Sequence, residues 1–333
     1  MANGVPLIRS SLLSEFPALV RDLGGPLGII LDEAGLSLER IEQPTLLIPF
    51  DKQVRLLQVA AQRCGCEEFG LELAKRQEMA VFGALSVLVM QCPTVEKGLE
   101  MFGRYLHYSV QAVVLDIRTQ GDLVYFAIET PFDIAAQSDQ FWDHAVAMAF
   151  NLMTVLCGQA WVPRSMYLRR SQPSDPGKYS RHFRCPVAFG SEASELVFER
   201  AVLQRPISAS INAIPRQLQE YLRASFEGNF LEQVRRVIIS LLPTDDCNAR
   251  IVAQCMGHSL RTLQRKLAGE HTGFQQQIDR VRSELAISYL QEPQFSLTDI
   301  GGLLGFAELS VFTRSFRRWF GVTPSQWRKR KFA

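Results

Sequence analysis

The sequence predicts an α+β domain followed by an all-α domain in which two helix-turn-helix units are joined by a linker helix. Three observations carry that prediction. Between about residues 110 and 205 the hydrophobic period leaves the helical pattern for β-branched and aromatic runs, returns to helix, and ends in short strand-like runs. From about Ser208 the chain stays helix-like to its end. Within that last stretch a pattern of apolar helix, glycine and second helix recurs about 48 residues further on.

Each element has its own signal. The first hundred residues read as short helices: 26–33 ahead of Gly35, 51–63 ahead of Gly65, 82–91 stopping at Pro93, and 94–108 opening on a Thr-x-x-Lys start. Residues 110–118 and 123–129 read as strands, and the Gly121-Asp122 pair between them is a hairpin signal. Residues 139–159 return to helix, and 165–169, 187–189 and 196–198 are short strand candidates. Runs of strands and helices without a repeating βαβ order give an α+β domain over 1–205. A helical linker is expected over 206–228 and the second domain over 229–333. That domain opens with Asn229 capping a stripe of Leu231, Val234, Ile238, Leu241 and Leu242.

Composition narrows the function classes. The chain has 333 residues, 47% of them hydrophobic and 21% charged, which is ordinary globular usage and excludes disorder and coiled-coil rods. Seven scattered cysteines read as reduced thiols rather than a disulfide framework. The N-terminus lacks the pattern of a signal peptide, and no apolar run reaches membrane-spanning length, so a soluble cytoplasmic protein without a membrane partner is expected. The net charge of +2 hides an asymmetry. Residues 229–333 hold 15 Lys/Arg against 9 Asp/Glu, while residues 1–228 hold 21 against 25. A basic third on an acidic body suits a domain that binds a polyanion.

The repeat supplies the chemistry. Val252-Ala253 through Gly257 aligns with Ile300-Gly301 through Gly305, and Leu263, Arg265 and Leu267 align with Phe312, Arg314 and Phe316. In the first unit Ser259 is placed to cap the second helix. Leu263 and Leu267 face inward, leaving Arg261, Thr262, Gln264, Arg265 and Lys266 around the other faces. Arginine can donate two bonds to guanine and glutamine can pair with adenine, so this helix suits a major groove. In the second unit Ser296-x-x-Asp299 reads as a capping box and Phe312 and Phe316 turn inward. Glu308, Ser310, Thr313, Arg314, Arg317 and Arg318 are left partly outside, with Thr313 and Arg314 the better placed to read bases and Arg317 and Arg318 to meet phosphates. Residues 272–291 carry Phe274, Ile278, Val281, Leu285 and Tyr289 at helical spacing. A helix of some 17 residues within this stretch, roughly 25 Å long, can hold two recognition helices about one DNA turn apart.

Gly305-Phe306, the run Phe312-Thr313-Arg314-Ser315-Phe316-Arg317-Arg318, then Phe320-Gly321-Val322-Thr323-Pro324 and Trp327-Arg328 resemble the signature of AraC/XylS-type transcriptional regulators over residues 229–331. Gly301 stands where that family usually has alanine, which should loosen its helix by roughly 1 kcal/mol. Trp327 replaces the usual tyrosine and is read as packing. The resemblance places base readers at Arg261, Gln264, Arg265, Ser310, Thr313 and Arg314, and Leu309 at a position often polar in relatives. Upstream, Phe69-Gly70-Leu71-Glu72-Leu73-Ala74, Phe82-Gly83 and Phe183-Arg184-Cys185-Pro186-Val187 with Phe189 resemble the α+β arabinose-binding-like domain of a subset of these regulators. That resemblance implies effector binding, dimerisation or both.

The remaining constellations read as structural. Cys64-Gly65-Cys66 is one residue short of the usual metal-binding spacing, and Asp139, Asp143 and His144 read as a solvated helix face. Tyr105, His107 and Tyr108 are candidate effector contacts, with core packing as the competing role. No catalytic constellation, phosphate loop, metal site or cofactor motif is found. The expectation is a non-enzymatic, sequence-specific regulator binding double-stranded DNA as a homodimer, with a small effector and RNA polymerase as further partners. The alternatives are a protein-interaction adaptor and an enzymatic N-terminal domain fused to a DNA-binding module.

Overall fold

A computed structural model describes residues 6–44, 46–107, 109–130, 132, 138–207, 229–242, 247–256, 258–291 and 295–331. The chain divides into two compact units whose sequence break falls between Ala213 and Ile214. The expected linker lies outside the described residues from position 208 to 228.

In the first unit, α1 (Phe16–Asp22), α2 (Leu27–Ala34), α3 (Leu38–Glu42), α4 (Phe50–Cys64), α5 (Phe69–Arg76), α6 (Ala84–Met90) and α7 (Val95–Leu106) fill most of the first hundred residues. Three of them stop or start where the sequence signals: α2 and α4 end at Gly35 and Gly65, and Thr94 accepts the Lys97 N–H to cap α7; α1, α3 and α5 were not among the expected helices, and α6 begins at Ala84 rather than at residue 82. A ribbon of β1 (Leu7–Arg9) and β2 (Leu47–Pro49) was not legible, because each strand has three residues and they pair across a long sequence gap.

The main sheet holds β3 (Val114–Gln120), β4 (Leu123–Glu129), β5 (Ser165–Leu168), β6 (Val187–Phe189) and β7 (Glu195–Glu199) in the order β3-β4-β7-β5-β6. Gln120 pairs with Leu123 across the expected Gly121-Asp122 hairpin, where Gly121 has φ 60°. The first strand begins at Val114 rather than at residue 110. Val110 instead bridges Ile8, and the Gln111 N–H donates to Leu7 at 2.9 Å. Between β5 and β6, which run parallel, the chain makes α9 (Gly177–Phe183).

The long helix α8 (Asp139–Cys157), capped by Ser138, is the core of this unit. It is buried nearly all round, which is the environment of a central rather than a surface helix. Helix α5 crosses it at Gly70, where a Cβ would lie 2.0 Å from the Gln140 carbonyl oxygen. This corrects the reading of Asp143 and His144 as a solvated face: both are buried, and only Asp139 is exposed. Tyr179 donates to Asp143 Oδ2 at 2.6 Å, and Arg170 pairs with the same carboxylate. Burial pushes the Asp143 carboxyl up to about 6 against the pull of Arg170. Burial likewise pushes the Cys66 thiol up to about 11, so it stays protonated at neutral pH.

The second unit is all helix: α10 (Phe230–Leu241), α11 (Ala249–Cys255), α12 (Leu260–Gly269), α13 (Phe274–Leu290), α14 (Leu297–Leu303), α15 (Leu309–Phe320) and α16 (Pro324–Lys331). Asn229 caps α10 as expected, accepting the Glu232 N–H at 3.0 Å, and Val234, Ile238, Leu241 and Leu242 are buried beneath it. Among the described residues no helix is long and apolar enough to cross a membrane.

Candidate nucleic-acid interface

The first helix pair, α11 and α12, is set by two caps. Asn248 Oδ1 accepts the Arg250 and Ile251 N–H groups at 3.1 Å each, and Ser259 Oγ accepts the Thr262 N–H at 3.2 Å. Leu263 and Leu267 are buried, which fixes the rotation of α12 about its axis and turns Arg261, Gln264, Arg265 and Lys266 outward. Two side chains are already engaged. Thr262 shares a 2.9 Å hydrogen bond with Ser259 and belongs to the cap. Lys266 donates to His258 Nε2 at 3.0 Å and lies 5.0 Å over the Phe230 ring. The side chains of Arg261, Gln264 and Arg265 make no hydrogen bond or ion pair with another described residue.

The second pair repeats the arrangement. Ser296 and Asp299 form the expected capping box on α14, and Phe312 and Phe316 are buried under α15. Ser310, Arg314, Arg317 and Arg318 are exposed, and Thr313 is half-buried. Ser310 donates to Glu308 at 3.0 Å, and Arg318 donates to Asp279 of α13 at 3.0 Å, so both begin with an internal partner. Leu309 opens the helix 40% exposed, an apolar group on an otherwise polar face. Trp327 packs edge-on to Phe316, in keeping with a packing role.

Helix α13, 17 residues long, is the strut between the pairs. Its Ile278, Val281 and Tyr289 are buried as expected, together with Ala286 and Leu290. One fastening residue was not legible in the sequence. Arg282 donates from Nε to Leu304 O at 2.8 Å and from Nη2 to Gly305 O at 2.9 Å, and its guanidinium lies 4.3 Å over Phe306. It therefore holds the turn of the second pair. Gly305 has φ 68°, and a Cβ there would meet the Leu242 carbonyl oxygen at 2.0 Å. Arg235 of α10 pairs with Glu284, and Arg328 of α16 donates to Phe295 O at 2.8 Å.

The candidate effector residues sit in the other unit. Tyr105 is half-buried against the core, His107 is exposed at the end of α7, and Tyr108 lies outside the described residues. Among the described residues no group of three His, Cys, Asp or Glu side chains is placed to hold a metal ion.

Two exposed Arg-bearing helices, each the second of a capped pair, meet the comparison with known proteins. Residues 24–207 match the family model described as the arabinose-binding domain of AraC transcription regulators, N-terminal, and residues 252–330 match a helix-turn-helix domain. The chain is an AraC-family transcriptional regulator. It is 30% identical to the HTH-type transcriptional regulator VirS of Mycobacterium tuberculosis over 97% of this chain and 96% of that protein. The ornithine utilization regulator of Pseudomonas aeruginosa is 26% identical over 98% of this chain and 97% of its own. Among solved structures, the transcriptional regulator CdpR from Pseudomonas aeruginosa covers 78% of this chain and 86% of its own at 20% identity and a TM-score of 0.36. As an AraC-family regulator the protein binds DNA through its helix-turn-helix domain.

Proposed function

We propose that each subunit of this regulator reads two successive major-groove segments, α12 in one and α15 in the next. The observation that carries this is the pairing of two helix-turn-helix units across one 17-residue helix, each unit presenting on its outer helix arginines that form no ion pair with another described residue. A 17-residue helix spans roughly 25 Å, enough to hold two recognition helices on one face of a duplex whose turn is roughly 34 Å. Arg261, Gln264, Arg265, Thr313 and Arg314 read base edges in this arrangement. Ser310 joins the base readers after leaving Glu308, and Arg317 and Arg318 fix position on the backbone, Arg318 after giving up Asp279. Thr262 supports α12 from its cap. Residues 1–205 form a regulatory unit that binds an effector and joins two copies into a homodimer. The protein works in the cytoplasm and hands its signal to RNA polymerase.

Electrophoretic mobility shift with promoter fragments across a salt series tests the reading. Binding that survives competitor DNA and weakens steeply with salt is expected. Absence of retained DNA at low salt, with a partner protein captured instead by the helical unit, would favour the adaptor.

A further inference from the structure

The two edges of the main sheet are unequal. At one end β6 has three residues, and its Val187 and Phe189 pack against the core. At the other end β3 runs for seven residues, most of them exposed, and among the described residues it pairs with β4 alone.

The bonds of β4 decide what that edge offers. The Ile128 N–H donates to Ser194 O at 3.3 Å, and Asp122 O accepts the Arg200 N–H at 2.8 Å, so the even-numbered positions of this stretch bond toward β7. The odd-numbered ones bond toward β3, where they face Val114, Asp116, Arg118 and Gln120. Leu115, Ile117 and Thr119 therefore point their N–H and C=O groups off the sheet, and these groups have no backbone partner among the described residues. Such a row is a template for another strand.

The charges say which strand fits. Asp116 and Arg118 flank Ile117 on one face, 45% and 47% exposed. Within the chain Arg118 Nε lies 2.9 Å from Asp116 Oδ2, and its Nη2 donates to Glu195 at 2.6 Å. A second β3 laid antiparallel, with Ile117 facing Ile117, overlaps the whole strand and sets Asp116 of each copy opposite Arg118 of the other. Those two pairs are of the kind without mutual hydrogen bonds, whose side chains approach more closely. The outward groups sit on odd positions, so the axis can move only by whole residues. One step back sets Asp116 against Asp116, one step on sets Arg118 against Arg118, and either step shortens the overlap. The edge is complementary to itself in a single full-length register, as a two-fold interface requires.

We propose that two copies of the regulator join through this edge, β3 against β3 about a two-fold axis at Ile117, so that their five-stranded sheets become one. Ile117, 36% exposed in the single chain, is covered by its counterpart. The assignment rests on reading residues 1–205 as the unit that forms the homodimer, and gives that reading its surface.

Sedimentation equilibrium of the full chain without DNA, over a concentration series, tests it. The parent should dimerise. Asp116→Arg and Arg118→Asp each set like charges opposite one another and should weaken the dimer about tenfold or more. An equimolar mixture of the two variants should recover it, because each then carries on this edge the charge opposite to the other's. Circular dichroism checks that the variants fold. Should Arg118→Asp fail to fold beside Glu195, Asp116→Arg and Ile117→Lys carry the test, since two copies of the latter meet on the axis and should separate. A dimer that these variants leave untouched, or weakened single variants whose mixture stays apart, overturns the edge and leaves the homodimer standing on another surface. A parent that stays monomeric throughout overturns the homodimer reading itself, and the edge with it.

Discussion

His144 shows how a single buried group makes stability depend on pH. Its native imidazole is pushed down to about 4 by burial, while in the unfolded chain it titrates near 6.5. As pH falls through that window the unfolded chain takes up the proton first, so stability is lost. Asp143 beside it works in the opposite sense. Its native carboxyl titrates at about 6, above its unfolded value of 3.8, so acid between those values favours the folded form. Chemical denaturation of the parent and of His144→Gln between pH 6.5 and 4 separates the two. The parent should lose about 3 kcal/mol more than the variant, and parallel curves would remove His144 from the account. Glycines differ as sharply. A Cβ on Gly301 would sit 3.7 Å from Phe312 Cβ, an ordinary contact, so Gly301→Ala should stabilise α14 by about 1 kcal/mol. Gly305→Ala, forced against the Leu242 carbonyl at a left-handed φ, should cost more than that gain; thermal melts of both variants check the pair.

At the scale of elements, what the sequence made legible was whatever is written locally. Asn229, Ser259 and Ser296 cap the helices they were expected to cap, and Leu263, Leu267, Phe312 and Phe316 are the buried faces they were expected to be. Those inward residues also fixed which side chains of α12 and α15 turn outward. The partners Arg282, Asp143, Arg170 and Tyr179 were not legible, since each bond joins residues far apart in sequence and the local period of α8 does not reveal that it is buried all round. Burial against the rest of its unit decides that, and a one-dimensional pattern does not record it. Arg282 also gives the element-level prediction. Arg282→Lys keeps the charge but cannot span both carbonyls, so it should destabilise the second pair by about 2 kcal/mol, while Met in its place should fare no better. Denaturant unfolding reads the loss; an unchanged midpoint would mean the fastening is carried by packing.

Over the whole molecule, the near-neutral charge of the chain resolves into a basic DNA-binding part and an acidic body, and the fold assigns different work to each. The strut α13 is fastened to α10 through Arg235, to the turn after α14 through Arg282 and to α15 through Asp279, which in the proposed reading ties the second recognition helix to the strut. On the proposed two-groove reading, coupling of that kind would let a subunit register on both grooves at once. Hydroxyl-radical footprinting of the full chain on a selected site tests this most directly, with Arg265→Ala and Arg314→Ala beside the parent. Protected patches about 10–10.5 base pairs apart are expected, Arg265→Ala loosening one and Arg314→Ala its neighbour, each at a cost of about 1–3 kcal/mol in affinity. Loss of the same patch in both variants, or an unchanged footprint in either, would contradict the two-groove account.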